Sequence, residues 1–498
     1  MDARIKSIEA LVASAARRRL TPTLGPVQLT LLGIGAVIGS GIFVLTAEAA
    51  QRAGPGMMIS FLIAGFVCAV TALCYAELTA MIPVAGSAYT YTYAVFGELF
   101  AWLIGWALIA EYTVAAGAVS VGWSGYFVSL LHNSFGVTLP HALTTGYFAG
   151  GLLNVPAMAV AAFVVTLLVV GTRTSATANA VFVVIKVTAL SLFIVLALPA
   201  AQAENFVPFA PTGMVGIGGA AASIFFAYVG FDAVSTAAEE TKNPQRNVPI
   251  GLVAAMAICA GLFVLTGAAA VGAHGGQPLL DALSGRPLES GSRAMAAACA
   301  RTTEQLVCSS DPLAFVLRSL GHPFAGRAIG LAAFVALPSV MLMMIFGQSR
   351  VLFAMSRDGL LPQGLSKLHH RFGSPYRLTL LTGAAVVIGA GLFPIGRLAE
   401  LSNTGTLCAF VAVSIAVMVL RRTQPGRERP FRTPLIWLMG PVAVAGCLYL
   451  IASLEPATRW AFAIWAAIGL VVYYSYGRRH SMMRAADQKT ARERSEAF

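Results

Sequence analysis

Long apolar segments separated by short polar ones recur along almost the whole chain. Each segment has about 20 residues, the length that an α-helix needs to cross the hydrocarbon core of a bilayer. We therefore expect an all-α integral membrane protein. The pattern predicts twelve membrane-spanning helices, near 28–51, 57–80, 97–130, 155–171, 178–199, 213–238, 249–273, 325–355, 377–396, 401–420, 435–454 and 458–476.

The composition supports this prediction. Hydrophobic residues make up 57% of the chain and charged residues only 11%, against about 25% charged residues in soluble domains. An ordinary soluble enzyme, a disordered tail and a nucleic-acid module are therefore excluded. Five of the seven cysteines fall in apolar runs and are expected to be core residues, whereas Cys299 and Cys308 share a polar segment. Spacing alone leaves open whether these two form a disulfide.

The net charge of +12 is explained by membrane topology. Lys and Arg in the segments on the N-terminal side of the twelve spans outnumber those on the opposite side by about three to one, which places that side in the cytoplasm. We expect both termini to be cytoplasmic and the protein to lie in the plasma membrane, with the lipid bilayer as its partner. A nucleic-acid partner is not expected, and no removable signal peptide is evident at the N-terminus.

The first span is interrupted by Gly39-Ser40-Gly41 near its midpoint. Glycine in a helix interior costs about 1 kcal/mol relative to alanine, so the helix is expected to unwind here. The alternative is a small-residue packing surface, which Gly35 and Gly39 match. Gly230 and Asp232 in the middle of the sixth span favour unwinding, because an ionisable group at membrane depth marks a cavity or irregular backbone.

Helices broken at the midplane in the first and sixth spans are separated by an odd number of spans, so the second set of five enters from the opposite face. This is the inverted-repeat pattern of secondary transporters. The predicted organisation is a cytoplasmic segment (1–26), a first repeat (27–200), a second repeat (201–422) with an external loop (274–326), two further helices (423–477) and a basic cytoplasmic tail (478–498).

The two breaks have complementary chemistry. A half-helix that starts after Gly39 presents free N–H groups and a positive dipole end, which suit a carboxylate. Half-helices that end near Val37-Ile38 and Phe226-Ala227 leave free carbonyls, which suit an ammonium group. Together they form a site for a zwitterion, and a free α-amino acid matches it.

Four segments in this order resemble the amino acid/polyamine/organocation transporter superfamily, and within it the cationic amino acid transporter family. They are residues 35–43, residues 75–78 with 83–89, residues 226–244, and residues 348–359. The resemblance implies a LeuT-type fold, with ten helices in a 5+5 inverted repeat plus two C-terminal helices, and amino acid transport by alternating access. It also implies substrate-binding residues: Gly39, Ser40 and Gly41 for the carboxylate, and Val37, Ile38, Phe226, Ala227 and Val229 for the ammonium group, with Phe226 also as a gate.

Two ionisable residues and one methionine complete the candidate site. Lys186 lies deep in the fifth span, where a charge needs partners or must lose its proton. The resemblance implies that Lys186 takes the place of sodium in sodium-coupled relatives and bridges the first and eighth helices. The expected coupling ion is therefore H⁺, and no cofactor is expected. The alternative is that Lys186 is a static tether between helices and keeps its proton. Glu111 matches a carboxylate of the family that either contacts a cationic side chain or bonds neighbouring helices. Met344, if it lines the site, favours small neutral amino acids over arginine.

The leading hypothesis is therefore a proton-coupled amino acid symporter. An amino acid or polyamine exchanger remains open, as do an oligomer and a small membrane-protein subunit. An enzyme is disfavoured, because metalloprotease and nucleophile-elbow motifs are missing from the sequence. Glu77, Glu239 and Glu240 are expected to form interfacial ion pairs, and two tyrosine runs, Tyr89–Tyr91–Tyr93 and Tyr473–Tyr474–Tyr476, to be interfacial anchors.

Overall fold

The computed structural model describes residues 5–9, 24–84, 87–170, 176–237, 241–281, 285, 287–289, 292–302, 305–366 and 376–484. Glu239, Glu240 and most of the basic tail lie outside these residues. Regular structure within the described part of the chain is helical, apart from three isolated β-bridges.

The twenty α-helices of the described residues are numbered in chain order. They are α1 Pro26–Val37, α2 Ser40–Phe43, α3 Leu45–Ala53, α4 Met57–Met81, α5 Ser87–Val95, α6 Glu98–Phe135, α7 His141–Thr144, α8 Val155–Val170, α9 Ala176–Ala197, α10 Gly213–Ile224, α11 Ala233–Thr236, α12 Pro244–His274, α13 Arg293–Cys299, α14 Pro312–Ser319, α15 Pro323–Arg357, α16 Tyr376–Leu392, α17 Ile395–Thr423, α18 Ile436–Ser453, α19 Pro456–Val472 and α20 Arg478–His480. Short 3₁₀ turns link several of them, including Phe225–Tyr228, and a π-helix covers Tyr473–Gly477.

The structure is that of a multi-pass membrane protein. Within the described residues, eight helical segments are long and apolar enough to cross a bilayer. Four shorter apolar helices, Pro26–Val37, Val155–Val170, Gly213–Tyr228 and Tyr376–Leu392, accompany them. The total of twelve spans stays a prediction.

The first predicted span is broken where glycine and serine interrupt it. Helix α1 ends at Val37, Ile38 and Gly39 are extended, and α2 begins at Ser40. The interruption therefore lies at Ile38-Gly39, slightly before the centre of the Gly39-Ser40-Gly41 run, and Ser40 and Gly41 belong to the helix that follows.

The sixth predicted span is also broken. Helix α10 tightens into the 3₁₀ turn at Phe225, Val229 is extended, and Gly230 has a φ of +112° before α11 begins. A positive φ of this size is readily adopted only by glycine, so Gly230 permits the chain to turn here.

Helices that the inverted repeat would make equivalent pack against one another. Helix α4 contacts α12, α6 contacts α15, and α8 contacts α16. Such pairing is expected for two halves related by a two-fold axis in the membrane plane. The repeat and domain boundaries remain predictions, and the packing is compatible with them.

The insert between α12 and α15 contains α13, α14 and a short 3₁₀ turn. Cys299 and Cys308 form a disulfide within it, which answers the question that spacing left open. The bond joins the end of α13 to the turn at Leu306–Cys308.

The prediction that the two tyrosine runs anchor the protein at the interface is wrong for four of the six residues. Tyr89, Tyr91, Tyr93 and Tyr473 are buried. Their hydroxyl groups have polar partners inside the protein: Tyr89 donates to Asp358, and Tyr93 and Tyr473 donate to Glu98. Helix α5 packs against α6 and α17, so its tyrosines lie within the fold.

Candidate functional site

The two helix breaks contact each other. A Cβ atom placed on Gly41 would overlap the backbone of Ala227, so only glycine allows α2 to approach the 3₁₀ turn this closely. A Cβ on Gly230 would lie 3.0 Å from the Ala36 carbonyl oxygen, just before the break in the first span. Gly41 and Gly230 thus allow the backbone of the first-span break to contact the backbone of the sixth-span break.

Hydrogen-bond donors are gathered at the start of α2. Because this helix begins at Ser40, the N–H groups of Ser40, Gly41 and Ile42 have no helical carbonyl one turn earlier. The Ser40 hydroxyl is buried and has no partner among the described residues. Its Cβ packs against Gly122 of α6. Free N–H groups at a helix start and an unpaired hydroxyl are suited to an anion such as a carboxylate.

Acceptors are gathered at the other side of the two breaks. Helix α1 ends at Val37, with Ile38 as its cap. In the sixth span the Phe226 carbonyl accepts the N–H of Val229 at 3.2 Å. The side chains of Phe226, Ala227 and Val229 are buried beside this backbone. The substrate-binding residues predicted from the two breaks therefore lie in one region of the molecule.

Lys186 is fully buried in α9 and reaches the first half of the broken span. Its Nζ donates to the Gly35 carbonyl at 2.9 Å, three residues before the interruption at Ile38. Asn179 and Val183 of the same helix flank Gly35, where an added Cβ would collide with them. Helix α9 also packs against α15, the helix of the eighth predicted span. Lys186 therefore connects α9 to the broken helix by a direct hydrogen bond.

Glu111 is a buried carboxyl group of α6. It is 1% exposed, and neither carboxyl oxygen has a partner among the described residues. The Thr406 hydroxyl lies beside it but donates to the Ser402 carbonyl. The Asp232 carboxyl group is an electrostatic neighbour, and it accepts hydrogen bonds from Ser87 and Tyr112. Two acidic groups, from α6 and from the sixth-span break, thus share one buried region.

Met344 is buried in α15, and Met343 is half-buried. One turn earlier, the Met341 sulfur accepts a hydrogen bond from Ser120, which turns Met341 toward α6. Which methionine side chain lines the site stays a prediction.

Asn403 is a residue that the sequence analysis missed. It lies fully buried in α17, and its amide nitrogen donates to the carbonyls of Ala222 and Ser223 at the end of α10. The available signal was an amide within the predicted span 401–420, near its start. An uncharged amide at membrane depth also needs hydrogen-bond partners inside the protein.

Ion pairs lie on the predicted external side of the molecule. The Arg52 guanidinium contacts Glu400 at 2.5 Å, Glu48 at 3.1 Å and Glu455 at 3.2 Å. Glu48 also accepts a hydrogen bond from Ser223 at 2.9 Å. Burial raises the pKa of Glu455, which lies just before α19. This external network, Glu48–Arg52–Glu400–Glu455, ties α3 to α17 and to the start of α19.

A second set of polar contacts lies on the predicted cytoplasmic side. Lys6 pairs with Asp358 at 2.7 Å and sits over the Tyr93 ring. Glu77 forms a bidentate pair with Arg421, at 2.7 and 2.8 Å, as the expected interfacial pairing implied. Within the described chain, no group of three or more His, Cys, Asp or Glu side chains could hold a metal ion.

Comparison with known proteins agrees with this geometry. The family model for amino acid permeases matches residues 24–473. The chain is 42% identical to the branched-chain amino acid permease BcaP of Bacillus subtilis, over 96% of this chain and 98% of the relative. It is 41% identical to the methylthioribose transporter of the same organism, with the same coverage of both chains. It is 32% identical to human cationic amino acid transporter 4, over 84% of this chain and 62% of that protein.

The match covers both helix breaks, Lys186 and the helices that pack around them. The resemblance seen in the four sequence segments is confirmed, and it places the chain among transporters. The chain belongs to the amino acid permease family, within the amino acid/polyamine/organocation superfamily.

Proposed function

We propose that this protein is a secondary transporter that carries L-amino acids across the plasma membrane together with protons, by alternating access. The observation that best supports this is the contact between the two breaks at Gly41 and Ala227. It brings the donors at the start of α2 next to the acceptors of the 3₁₀ turn. A zwitterion needs both, and neither group requires a charged protein side chain.

Neutral amino acids, including branched ones, are the proposed substrate class. The relative named as a branched-chain permease is 42% identical, and a chloroplastic cationic amino acid transporter of Arabidopsis thaliana is 34% identical. The methionines of α15 give the region apolar volume. Glu111 is the residue that would favour a cationic side chain, so arginine is the informative competitor.

Lys186 is proposed to couple the substrate site to protons. A charge-assisted hydrogen bond is stronger than a neutral one, so loss of the lysine proton would weaken its bond to the Gly35 carbonyl. The position of the first-span break would then depend on protonation. The alternative is exchange of one amino acid or polyamine for another, with Lys186 as a permanent tether.

Uptake into proteoliposomes tests these proposals. Radiolabelled L-leucine should accumulate when an inward proton gradient is imposed, and a protonophore should abolish the accumulation. Uptake that does not depend on the proton gradient and requires amino acid inside the proteoliposomes would identify an exchanger instead.

Competition identifies the substrate class. Excess unlabelled L-valine should block leucine uptake, and L-arginine should block it weakly. If methylthioribose competes and none of the twenty amino acids does, amino acid transport is the wrong activity for this chain.

A further inference from the structure

Helix α17 places one amide side chain, Asn403, against the end of α10. Its nitrogen donates to the Ala222 carbonyl at 2.7 Å and to the Ser223 carbonyl at 3.0 Å. Only the NH₂ group of an asparagine can donate to two carbonyls, so the orientation of the amide is fixed. Its Oδ1 therefore points away from these carbonyls. This buried oxygen has no partner in the part of the chain that the structure describes.

The bonded carbonyls belong to the last turn of α10. The 3₁₀ turn Phe225–Tyr228 follows directly, and the Phe225 N–H is directed at the Ala221 and Ser223 carbonyls. Asn403 adds a side-chain donor to each of the Ala222 and Ser223 carbonyls, and the Val229 N–H bonds the Phe226 carbonyl. No hydrogen bond to the Ala227 carbonyl is found outside the helices of the described chain. Asn403 therefore influences which carbonyls stay free for a ligand.

The same end of α10 is held from a second side. The Ser223 hydroxyl donates to Glu48 of α3 at 2.9 Å. The neighbour of Asn403, Ser402, donates to the Glu111 carbonyl of α6 at 3.2 Å. Helix α17 thus holds the sixth-span break at a fixed distance from the helix that carries Glu111.

We propose that Asn403 belongs to the site that binds the ammonium group of the substrate. Its amide nitrogen holds the Ala222 and Ser223 carbonyls toward α17 and leaves the Ala227 carbonyl free. Its Oδ1 is a further acceptor for the ammonium group. The inference rests on the proposed function, because it assigns an ammonium-bearing substrate to the two breaks. It also accounts for a buried amide oxygen that would otherwise be an uncompensated polar group.

The test compares an amino acid with its analogue that lacks the amino group. Binding of L-leucine and of 4-methylpentanoate to the purified full chain is measured by calorimetry. A site that hydrogen-bonds an amino group rejects an analogue without it, so the wild type should prefer leucine by at least about tenfold. In Asn403→Leu this preference should fall by at least about tenfold, while the affinity for 4-methylpentanoate changes by less than about twofold.

Two further variants separate recognition from folding. Thr404→Val is the matched control, because the Thr404 hydroxyl donates to the Glu400 carbonyl of its own helix; it should keep the wild-type preference. Asn403→Gln retains the amide and should recover part of it. If Asn403→Leu does not fold, Asn403→Ala, which lacks both the N–H donors and the Oδ1 acceptor, is measured in its place and should lose the preference.

An unchanged preference in the substituted protein overturns the inference, as does an equal loss of affinity for both ligands, since the latter indicates a purely structural role. A wild type that binds leucine and discriminates against its analogue supports the proposed function whatever the variants do. A wild type that binds none of the twenty amino acids overturns the proposed function, and the role of Asn403 falls with it.

Discussion

The two glycines on either side of Ser40 differ in what an added methyl group would meet. At Gly41 it would overlap the backbone of Ala227. At Gly39 it would lie 3.4 Å from the Val340 side chain, and the extended backbone there is open to any residue. We expect Gly41→Ala to weaken leucine binding by at least about tenfold, because overpacking of this kind costs about 1–3 kcal/mol.

The loss in Gly39→Ala should be at least about fivefold smaller, since its neighbour is a side chain that can adjust. Calorimetric titration with leucine gives both affinities, and thermal unfolding checks that both variants fold. Equal losses at the two positions would mean that contact between the breaks does not set affinity.

Lys186 gives a prediction for coupling. Lys186→Met removes the donor to the Gly35 carbonyl but keeps an unbranched side chain of similar length. Accumulation driven by a pH gradient should disappear, and downhill uptake should persist at a reduced rate. The ratio of uptake with and without the gradient measures this. Lys242→Met, at an exposed position, is the control and should keep the wild-type ratio.

Individual site residues could be predicted from the sequence where the residue type is energetically costly inside a membrane helix. A buried lysine in the fifth span and a serine between two glycines could be identified from the sequence alone. The bond from Lys186 to the Gly35 carbonyl could not, because it depends on how α9 packs against α1. Asn403 shows the other limit: its chemistry is visible in the sequence, but its partners lie about 180 residues away.

Among the helices, α4 and α17 are joined by a buried ion pair. Glu77 is 1% exposed, accepts two hydrogen bonds from Arg421 and accepts the backbone N–H of Thr433 at 2.7 Å. Glu77→Gln leaves the guanidinium groups of Arg421 and Arg429 without their shared counter-ion, so we expect a loss of stability, seen as a lower unfolding temperature. Glu9→Gln is the control, because Glu9 pairs with Arg427 on the surface and should have little effect.

Helix breaks could be predicted because they depend on local sequence. Glycine at three positions and an aspartate in mid-span oppose a continuous helix, whatever surrounds them. The environment of α5 could not be predicted in this way. Its alternating tyrosines match an interfacial pattern, yet packing against α6 and α17 buries them. A disulfide is a third case, because it requires two loop positions to meet in space.

Across the whole molecule, polar contacts lie at both ends of the region that holds the two breaks. The external network joins α3, α17 and the start of α19, and Lys6, Asp358 and Glu77 hold the opposite end. Alternating access requires one end to open while the other stays closed. The charges that close each end were visible in the sequence, but their pairing follows from the tertiary fold.

The external network should depend on pH through Glu455. Burial raises the pKa of this carboxyl group above its ordinary value of 4.5. A carboxyl group with a raised pKa in the folded state contributes stability that is present below 4.5 and is lost as pH rises through the raised value. The contribution of Glu455 to the unfolding temperature should therefore fall as the pH is raised from below 4.5, so the unfolding temperature of the wild type should decrease relative to that of Glu455→Gln over the same range. Glu204→Gln, at an exposed position in the segment before α10, should follow the wild type. If Glu455→Gln and the wild type show the same pH dependence, the Glu455 carboxyl group does not contribute to the pH dependence of stability.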